Sequence, residues 1–361
     1  MRRIFLLSGL VLAGLACFGP SLRAEPKADR TSAARVVVTD AEPPKDAKDA
    51  APSPHAKFFC SNRPTCWAVY GEFLVLSARN ESVPYAQIRD GEGPLAVPRG
   101  ATGNIDTEYS YGVRGGAQAV LTPNILLNIG FSWYDTRNTD HIEVGANDPF
   151  IVHSLTTHPN TINAAADSLS ADANLNIRFY TGEFDLRYGL CGSDCSHLAL
   201  ILGGRFAHLD QDFLGRYTLL GATDVSTRIN FDGGGPRIGL EGHYNVFGRT
   251  FVYGRSDVSL LFGHFGANYL QTNVFAGVQA ETSFSDDRFV PILETELGVG
   301  WKSKNGRVEL AAGYTAMAWF NAMTTSNWIQ GVQDASFSNN RDNLRDTLSF
   351  DGFFARFLFR F

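Results

Sequence analysis

The chain is poor in the features that mark an α-helical membrane protein. Beyond residue 24, no stretch approaches the roughly 18 consecutive apolar residues of a spanning helix. Only 19% of the residues are charged and only 3 are Met, whereas Gly (36) and Phe (27) are abundant. This composition favours aromatic-rich strands joined by glycine-containing turns over a helical bundle.

Motifs of several enzyme and cofactor classes are also missing. The sequence contains no helical GxGxxG, P-loop, zinc-protease or GxSxG motif. The segment 233–236 (GGGP) opens a strand, so it favours a bend over a phosphate-binding loop. His153 and His158 share a long polar segment with Asp148 and Asp167, which an exposed loop explains better than metal or protease chemistry. We therefore predict no catalytic residue, no metal site and no cofactor.

The N-terminal part is predicted to be an export signal followed by a tether. Arg2 and Arg3 precede an apolar run, and Ala24 ends a cleavage site, which predicts a signal peptide over 1–24. A lipoprotein signal at Cys17 is the alternative, disfavoured by a glycine where leucine is usual. Residues 25–57, rich in Ala, Lys, Asp and Pro, are predicted to form a disordered periplasmic tether.

A positive charge excess is absent as well. Removing residues 1–24 leaves 28 basic against 37 acidic residues, which weighs against nucleic acid as a partner. From residue 58 to 361 the amino-acid composition keeps the same character, so one folded domain is predicted there.

Two close cysteine pairs remain after the signal. Export favours disulfide bonds, so we predict Cys60–Cys66 and Cys191–Cys195, with crossed pairing between the two groups as the alternative. Metal binding by the C-x3-C pair is less favoured, because no histidine pair lies beside it at zinc-finger spacing.

Period-two alternation recurs through the folded part and predicts strands. In 236–246, for example, Ile238 and Leu240 alternate with Arg237 and Glu241. Ten strands are predicted, near 67–78, 106–121, 125–135, 172–190, 196–211, 226–246, 251–265, 289–302, 307–320 and 347–361. In the fourth, the apolar residues change phase, which predicts a β-bulge near Gly182.

The predicted connections alternate in length. Those after the even-numbered strands are short, and the other five are long, at 79–105, 136–171, 212–225, 266–288 and 321–346. This alternation is typical of bacterial outer-membrane barrels, with short periplasmic turns and long extracellular loops. Because lipid leaves no backbone donor unpaired, the first strand should pair with the last. The predicted fold is an all-β, closed antiparallel transmembrane β-barrel of about ten strands (range 8–12).

Alternation also predicts which charges point into the barrel. They number eight arginines and eight acids: Glu72, Arg114, Arg178, Glu183, Asp185, Arg187, Arg205, Arg237, Glu241, Arg255, Asp257, Glu294, Glu296, Glu309, Arg356 and Arg360. Such a lining either sets the selectivity of a water-filled lumen or fills the lumen with ion pairs. About ten strands leave little room for a wide channel.

Several segments carry a family resemblance. They are 67–76 (WAVYGEFLVL) with 83–86 (VPYA) after it, 231–241 (FDGGGPRIGLE) and 290–301 (VPILETELGVGW). In this order they resemble the Legionella-type major outer-membrane-protein family, which has related barrels in planctomycete-like bacteria. The resemblance covers roughly 67–361 and implies a pore-forming barrel in the bacterial outer membrane, without catalytic residues. The tether and the cysteine pairs are departures from it.

The C-terminal segment predicts an assembly signal. Phe357, Phe359 and Phe361 alternate to the end of the last strand, a pattern that resembles the signal read by the barrel-assembly machinery. The expected partners are outer-membrane lipid, that machinery, and small solutes or ions. The sequence indicates no subunit contact, so the oligomeric state stays open.

Two functions follow as hypotheses. The first is a narrow passive channel for ions or small hydrophilic solutes. The alternative is a structural or surface-recognition barrel with a closed lumen, whose loops at 136–171 and 321–346 bind a partner.

Overall fold

Alternating apolar and polar residues form the strands of this protein. The computed structural model describes residues 67–361 apart from 92–95, 146, 162–166, 193–194, 220 and 335–343. The predicted signal peptide, the tether, Cys60 and Cys66 lie outside the described residues.

The described elements follow in chain order. They are β1 (Trp67–Arg79), β2 (Val83–Arg89), β3 (Pro98–Ile105), β4 (Ser110–Thr122), β5 (Ile125–Glu143), β6 (Ile151–Ser154), β7 (Asp167–Ser168), β8 (Ser170–Gly192), β9 (Ser196–Thr218), β10 (Ala222–Phe247), β11 (Thr250–Asn273), β12 (Gly277–Lys302), β13 (Val308–Ala322), the helix α1 (Thr325–Gln333) and β14 (Asp346–Arg360). Among the described residues, no helix is long and apolar enough to cross a membrane.

Ten strands form an antiparallel ring. Their order is β1-β14-β13-β12-β11-β10-β9-β8-β5-β4, and β1 pairs with both β14 and β4. At one level of the ring, Glu72 lies opposite Arg356 on one side and opposite Arg114 on the other. The predictions of an all-β fold with ten antiparallel strands, and of pairing between the first and last strands, are confirmed.

Two of the five predicted long loops are tight turns instead. Only residues 219–221 separate β9 from β10, and only 274–276 separate β11 from β12. These strands extend because alternation continues with its polarity exchanged: on β9, Phe213 and Tyr217 are buried while Arg216 is exposed. Polar residues on the outer face made these segments resemble loops.

The other three long connections carry structure of their own. The strands β3, β2, β6 and β7 form a small separate sheet in that order. The connection between β13 and β14 contains α1, whose Trp328 and Ile329 are buried.

Near Gly182 the apolar side chains of β8 move from odd to even positions because its inner face changes from apolar to charged. The prediction of a β-bulge there is wrong. The register of β8 against β5 and β9 runs without a shift through Gly182. Odd-numbered residues of β8 stay buried from Ala171 to Gly189, which includes Phe179 above this point and Asp185 below it. Only the chemistry of the buried face changes, from apolar to charged.

At one end of the ring, which we call the short-turn end, short turns join β4 to β5, β8 to β9, β10 to β11 and β12 to β13. An apolar band surrounds the half of the ring next to these turns. On β11 its exposed side chains run from Val252 to Phe262, about the 9–11 residues that a tilted strand needs to cross the hydrocarbon core. The register places Phe262 beside Phe289 of β12, with ring centroids 5.2 Å apart. Beyond the band, the outer face turns polar with residues such as His208 and His264.

Candidate functional site

Inside the apolar band the ring contains a layer of charged side chains, which we call the ionic layer. Fifteen of the sixteen predicted charges lie on the inner face, namely Glu72, Arg114, Glu183, Asp185, Arg187, Arg205, Arg237, Glu241, Arg255, Asp257, Glu294, Glu296, Glu309, Arg356 and Arg360. The exception is Arg178, for which the expectation is wrong. It lies above the polarity exchange on the outer face and pairs with Asp135 at 3.3 Å.

Arg237 lies near the centre of the ionic layer. Its Nε and Nη2 donate to the two carboxylate oxygens of Asp257 at 2.8 Å each, and its Nη1 donates to Glu183 at 2.5 Å. Alternation alone puts Arg237 and Asp257 on the same face of adjacent strands. The third bond, to Glu183 on β8, skips a strand and depends on the curvature of the ring.

Several ion pairs join strands that are not neighbours. Arg114 of β4 donates to Glu294 of β12 at 2.5 Å and also bonds to Glu296. Arg205 of β9 reaches the same Glu294 at 2.5 Å. The side chains of Arg205 and Glu294 are both 0% exposed, so these groups fill the interior of the ring at this level.

A second group of pairs lies closer to the short turns. Arg356 donates to Glu72 at 2.5 Å and to Glu296 at 2.8 Å. Arg187 donates to Glu241 at 2.6 Å. The acids and bases of the layer are thus interleaved, which satisfies the requirement that buried charges be paired.

Three basic inward side chains at the short-turn end were missed by the sequence analysis. His197, His243 and Lys302 line a cavity of about 290 Å³ together with members of the ionic layer. Strand parity could have found them, because 197 and 243 are odd like the buried residues of β9 and β10, and 302 is even like those of β12.

Above the ionic layer the interior is apolar and packed, which the sequence analysis did not anticipate. Phe179 contacts Phe350 with centroids 4.9 Å apart and Trp319 at 6.1 Å. Trp328 of α1 is fully buried, and its indole N–H donates to the Asn268 carbonyl at 3.1 Å. The helix therefore packs its apolar residues into the upper interior.

A buried carboxyl holds the start of this helix. The Thr325 N–H donates to Glu81 at 2.8 Å and to Gln211 at 3.2 Å. Burial raises the pKa of Glu81 to about 8, and the nearby Asp346 carboxylate acts in the same direction, while the bonds from Thr325 oppose it. Glu81 is thus mostly protonated at neutral pH.

The predicted disulfide between Cys191 and Cys195 does not form. The register pairs Cys191 with Leu198 and Gly192 with His197, so Cys195 lies beyond the last pair and does not face Cys191. Both residues are exposed and neither is bonded to the other. The pairing of Cys60 and Cys66, and any crossed pairing, involves residues outside the described part of the chain.

The remaining predicted residues lie away from the ionic layer. Phe357 and Phe361 are exposed on the band, and the Phe361 N–H donates to the Trp67 carbonyl at 2.9 Å. His153 contacts Asp167 at 3.0 Å in the small sheet. Within the described residues, no group of three or more His, Cys, Asp or Glu side chains is placed to hold a metal ion.

Comparisons with known proteins give one family match. The model of the family described as the Legionella pneumophila major outer membrane protein precursor matches residues 60–361. No curated protein sequence matches the chain.

The solved structures to which this chain is similar share little sequence with it. The outer membrane protease OmpT from Escherichia coli is 11% identical with a TM-score of 0.47, covering 85% of this chain and 100% of its own. A major outer membrane protein from Thermus thermophilus is 10% identical with a TM-score of 0.33, covering 83% of this chain and 100% of its own. The Pseudomonas putida toluene transporter TodX is 9% identical with a TM-score of 0.31, covering 83% of this chain and 90% of its own.

Proposed function

Because this chain belongs to the Legionella pneumophila major outer membrane protein family and is therefore a bacterial outer-membrane protein, we propose that it is a barrel whose lumen is closed to solutes. Such a barrel has a structural role, or it recognises a partner through the end of the ring that carries the small sheet and α1. No catalytic step is part of this proposal. The proposed topology places the short turns in the periplasm and the small sheet outside the cell, with residues 1–24 as signal peptide and 25–57 as tether.

The ionic layer is the observation that carries the proposal. Its arginines reach carboxylates on strands across the ring, and the side chains at its centre are almost completely buried. Opening a water path would separate several of these pairs at once. Removing one partner of a buried pair costs about 3–5 kcal/mol, so spontaneous opening of the whole layer would be rare.

A narrow passive channel is the second candidate. The cavity of about 290 Å³ at the short-turn end supports it, because charged side chains line a space that reaches into the ring. Conduction would require the pairs above this cavity to rearrange and α1 to move aside.

Conductance of the mature chain in a planar lipid bilayer tests the closed-lumen proposal. We expect no discrete current steps, with a heat-denatured sample of the same preparation as the control for contaminating porins. Uniform steps from the native protein alone would overturn the proposal in favour of the channel.

A variant in which a Gly/Ser linker replaces residues 325–333 shows whether α1 or the ionic layer blocks the ionic current. The closed-lumen proposal expects this variant to stay silent, because the ionic layer seals the ring without the helix. Current that appears only in this variant would identify α1 as the gate of a channel.

A further inference from the structure

A cavity with a positive lining lies between the ionic layer and the short turns. Its volume is about 290 Å³. The cationic groups around it are Arg187, Arg255, Lys302, Arg356 and Arg360, and the carboxylates are Glu72, Glu241 and Glu309. The lining has five positive groups and three negative ones, but Arg255 and Arg356 also bond to Glu294 and Glu296 just outside it, so these arginines are neutralised by the ionic layer.

The four arginines bond to carboxylates at 2.5–2.9 Å, whereas the ion pair that Lys302 makes is longer. The Lys302 Nζ lies 3.9 Å from its nearest carboxylate oxygen, on Glu309. That oxygen of Glu309 already accepts a 2.8 Å hydrogen bond from Arg360. The ammonium group also lies 4.5 Å from the centroid of the Phe251 ring. Lys302 therefore keeps most of its capacity to bind an anion.

Two histidines lie beside this lysine. His197 and His243 are direct partners in the register of β9 and β10, and both line the same cavity as Lys302. The His243 Nε2 lies 3.0 Å from Glu241. The Nδ1 of His243 is buried and has no hydrogen-bond partner in the described protein, so this ring keeps an unused hydrogen-bonding position.

We propose that this cavity binds a small oxyanion, a carboxylate or a phosphate, with Lys302, His197 and His243 as its ligand groups. The ammonium group of Lys302, held by a 3.9 Å ion pair, selects an anion over a cation. A volume close to the lower limit of the roughly 300–1,000 Å³ of small-molecule pockets suits a small ligand. The site faces the proposed periplasmic side and does not require a conducting lumen.

Isothermal titration calorimetry of the mature protein in detergent tests the site. Inorganic phosphate and succinate are titrated separately at constant ionic strength, so that the two oxyanion chemistries are distinguished. We expect saturable binding of at least one of them. Lys302→Gln should weaken that binding about tenfold, the factor for one charge-assisted hydrogen bond.

Lys304 supplies the matched control. It lies two residues further on, in the exposed turn between β12 and β13, and Lys304→Gln removes the same charge outside the cavity. Binding by this variant should stay within about twofold of the parent. Equal weakening by both variants would show diffuse attraction and overturn the site, as would a titration without saturation. Both variants must first show the heat-dependent gel mobility of the folded parent.

Discussion

At the scale of single residues, the stability of the protein should depend on Arg237. Replacing it with Ala removes the two-bond partner of Asp257 and one of the two arginines bonded to Glu183. Since both carboxylates are buried, Arg237→Ala should lower the free energy of unfolding by about 3–5 kcal/mol. Urea unfolding in lipid vesicles, followed by tryptophan fluorescence, measures this loss.

Arg228→Ala is the control for that substitution. Arg228 makes a similar pair with Asp212 at 2.6 Å, but its side chain is 69% exposed, so the loss should be below about 1 kcal/mol. If instead Arg237→Ala keeps full stability and bilayer currents become cation-selective, position 237 lines an open lumen and the closed-lumen proposal fails.

The buried carboxyl of Glu81, at the start of α1, predicts that the free energy of unfolding depends on pH. Its pKa is raised by burial from 4.5 to about 8 in the folded protein. The neutral carboxyl is therefore favoured on folding, and this stabilisation is fully present below about pH 4.5 and is lost as pH rises towards 8. Glu81→Gln keeps the acceptor for Thr325 and removes the titration.

Unfolding free energies measured between pH 5 and 9 check this expectation. The advantage of Glu81→Gln over the parent should grow with pH, by an amount on the order of several kcal/mol. Glu281→Gln changes an exposed carboxylate on the outer face of β12 and should keep the pH slope of the parent. Parallel curves for the parent and Glu81→Gln would contradict the assignment.

At the scale of the strand, each long strand of the ring has two halves of opposite polarity. On β11, Val258 lies within the apolar outer band and Asn268 lies on the same face beyond it. Val258→Arg should cost about 2–4 kcal/mol in lipid, because an arginine near the middle of the bilayer is poorly solvated. The matched variant Asn268→Arg should cost less than about 1 kcal/mol.

Unfolding in lipid vesicles compares these two variants. The same pair in detergent should differ less, because micelles adapt to a charged side chain more readily than a bilayer. Equal costs at both positions in lipid would place the boundary of the membrane elsewhere on the strand.

At the scale of the whole molecule, assembly is expected to depend on Phe361. This residue directly follows β14, and its N–H donates to the Trp67 carbonyl of β1. Its deletion therefore removes one contact between these strands and part of the proposed assembly signal. In cells, the deletion should reduce the amount of protein in the outer-membrane fraction. In vitro refolding into detergent separates the two effects, because a lost signal leaves refolding unchanged. Equal amounts of both proteins in the outer-membrane fraction would show that Phe361 is not part of the signal.

Alternation along the chain is enough to predict the ten strands and most of the charged inner face. Period-two alternation places every second side chain on one face whatever the fold, so Arg237, Arg255 and Glu294 could be assigned to a common face without coordinates. The prediction is wrong at Gly182, because alternation continues there with its polarity exchanged and mimics a bulge. The same exchange places Arg178 on the outer face.

The contacts inside the ring, in contrast, depend on how distant strands are arranged in space. The bonds of Arg114 and Arg205 to Glu294 join distant strands, and no local pattern encodes which charges meet across a ring. Lys302 and Trp328 lie inside only because the curvature of the ring encloses them. Alternation is a property of neighbouring residues, whereas closure of the interior depends on distances between strands far apart in the chain.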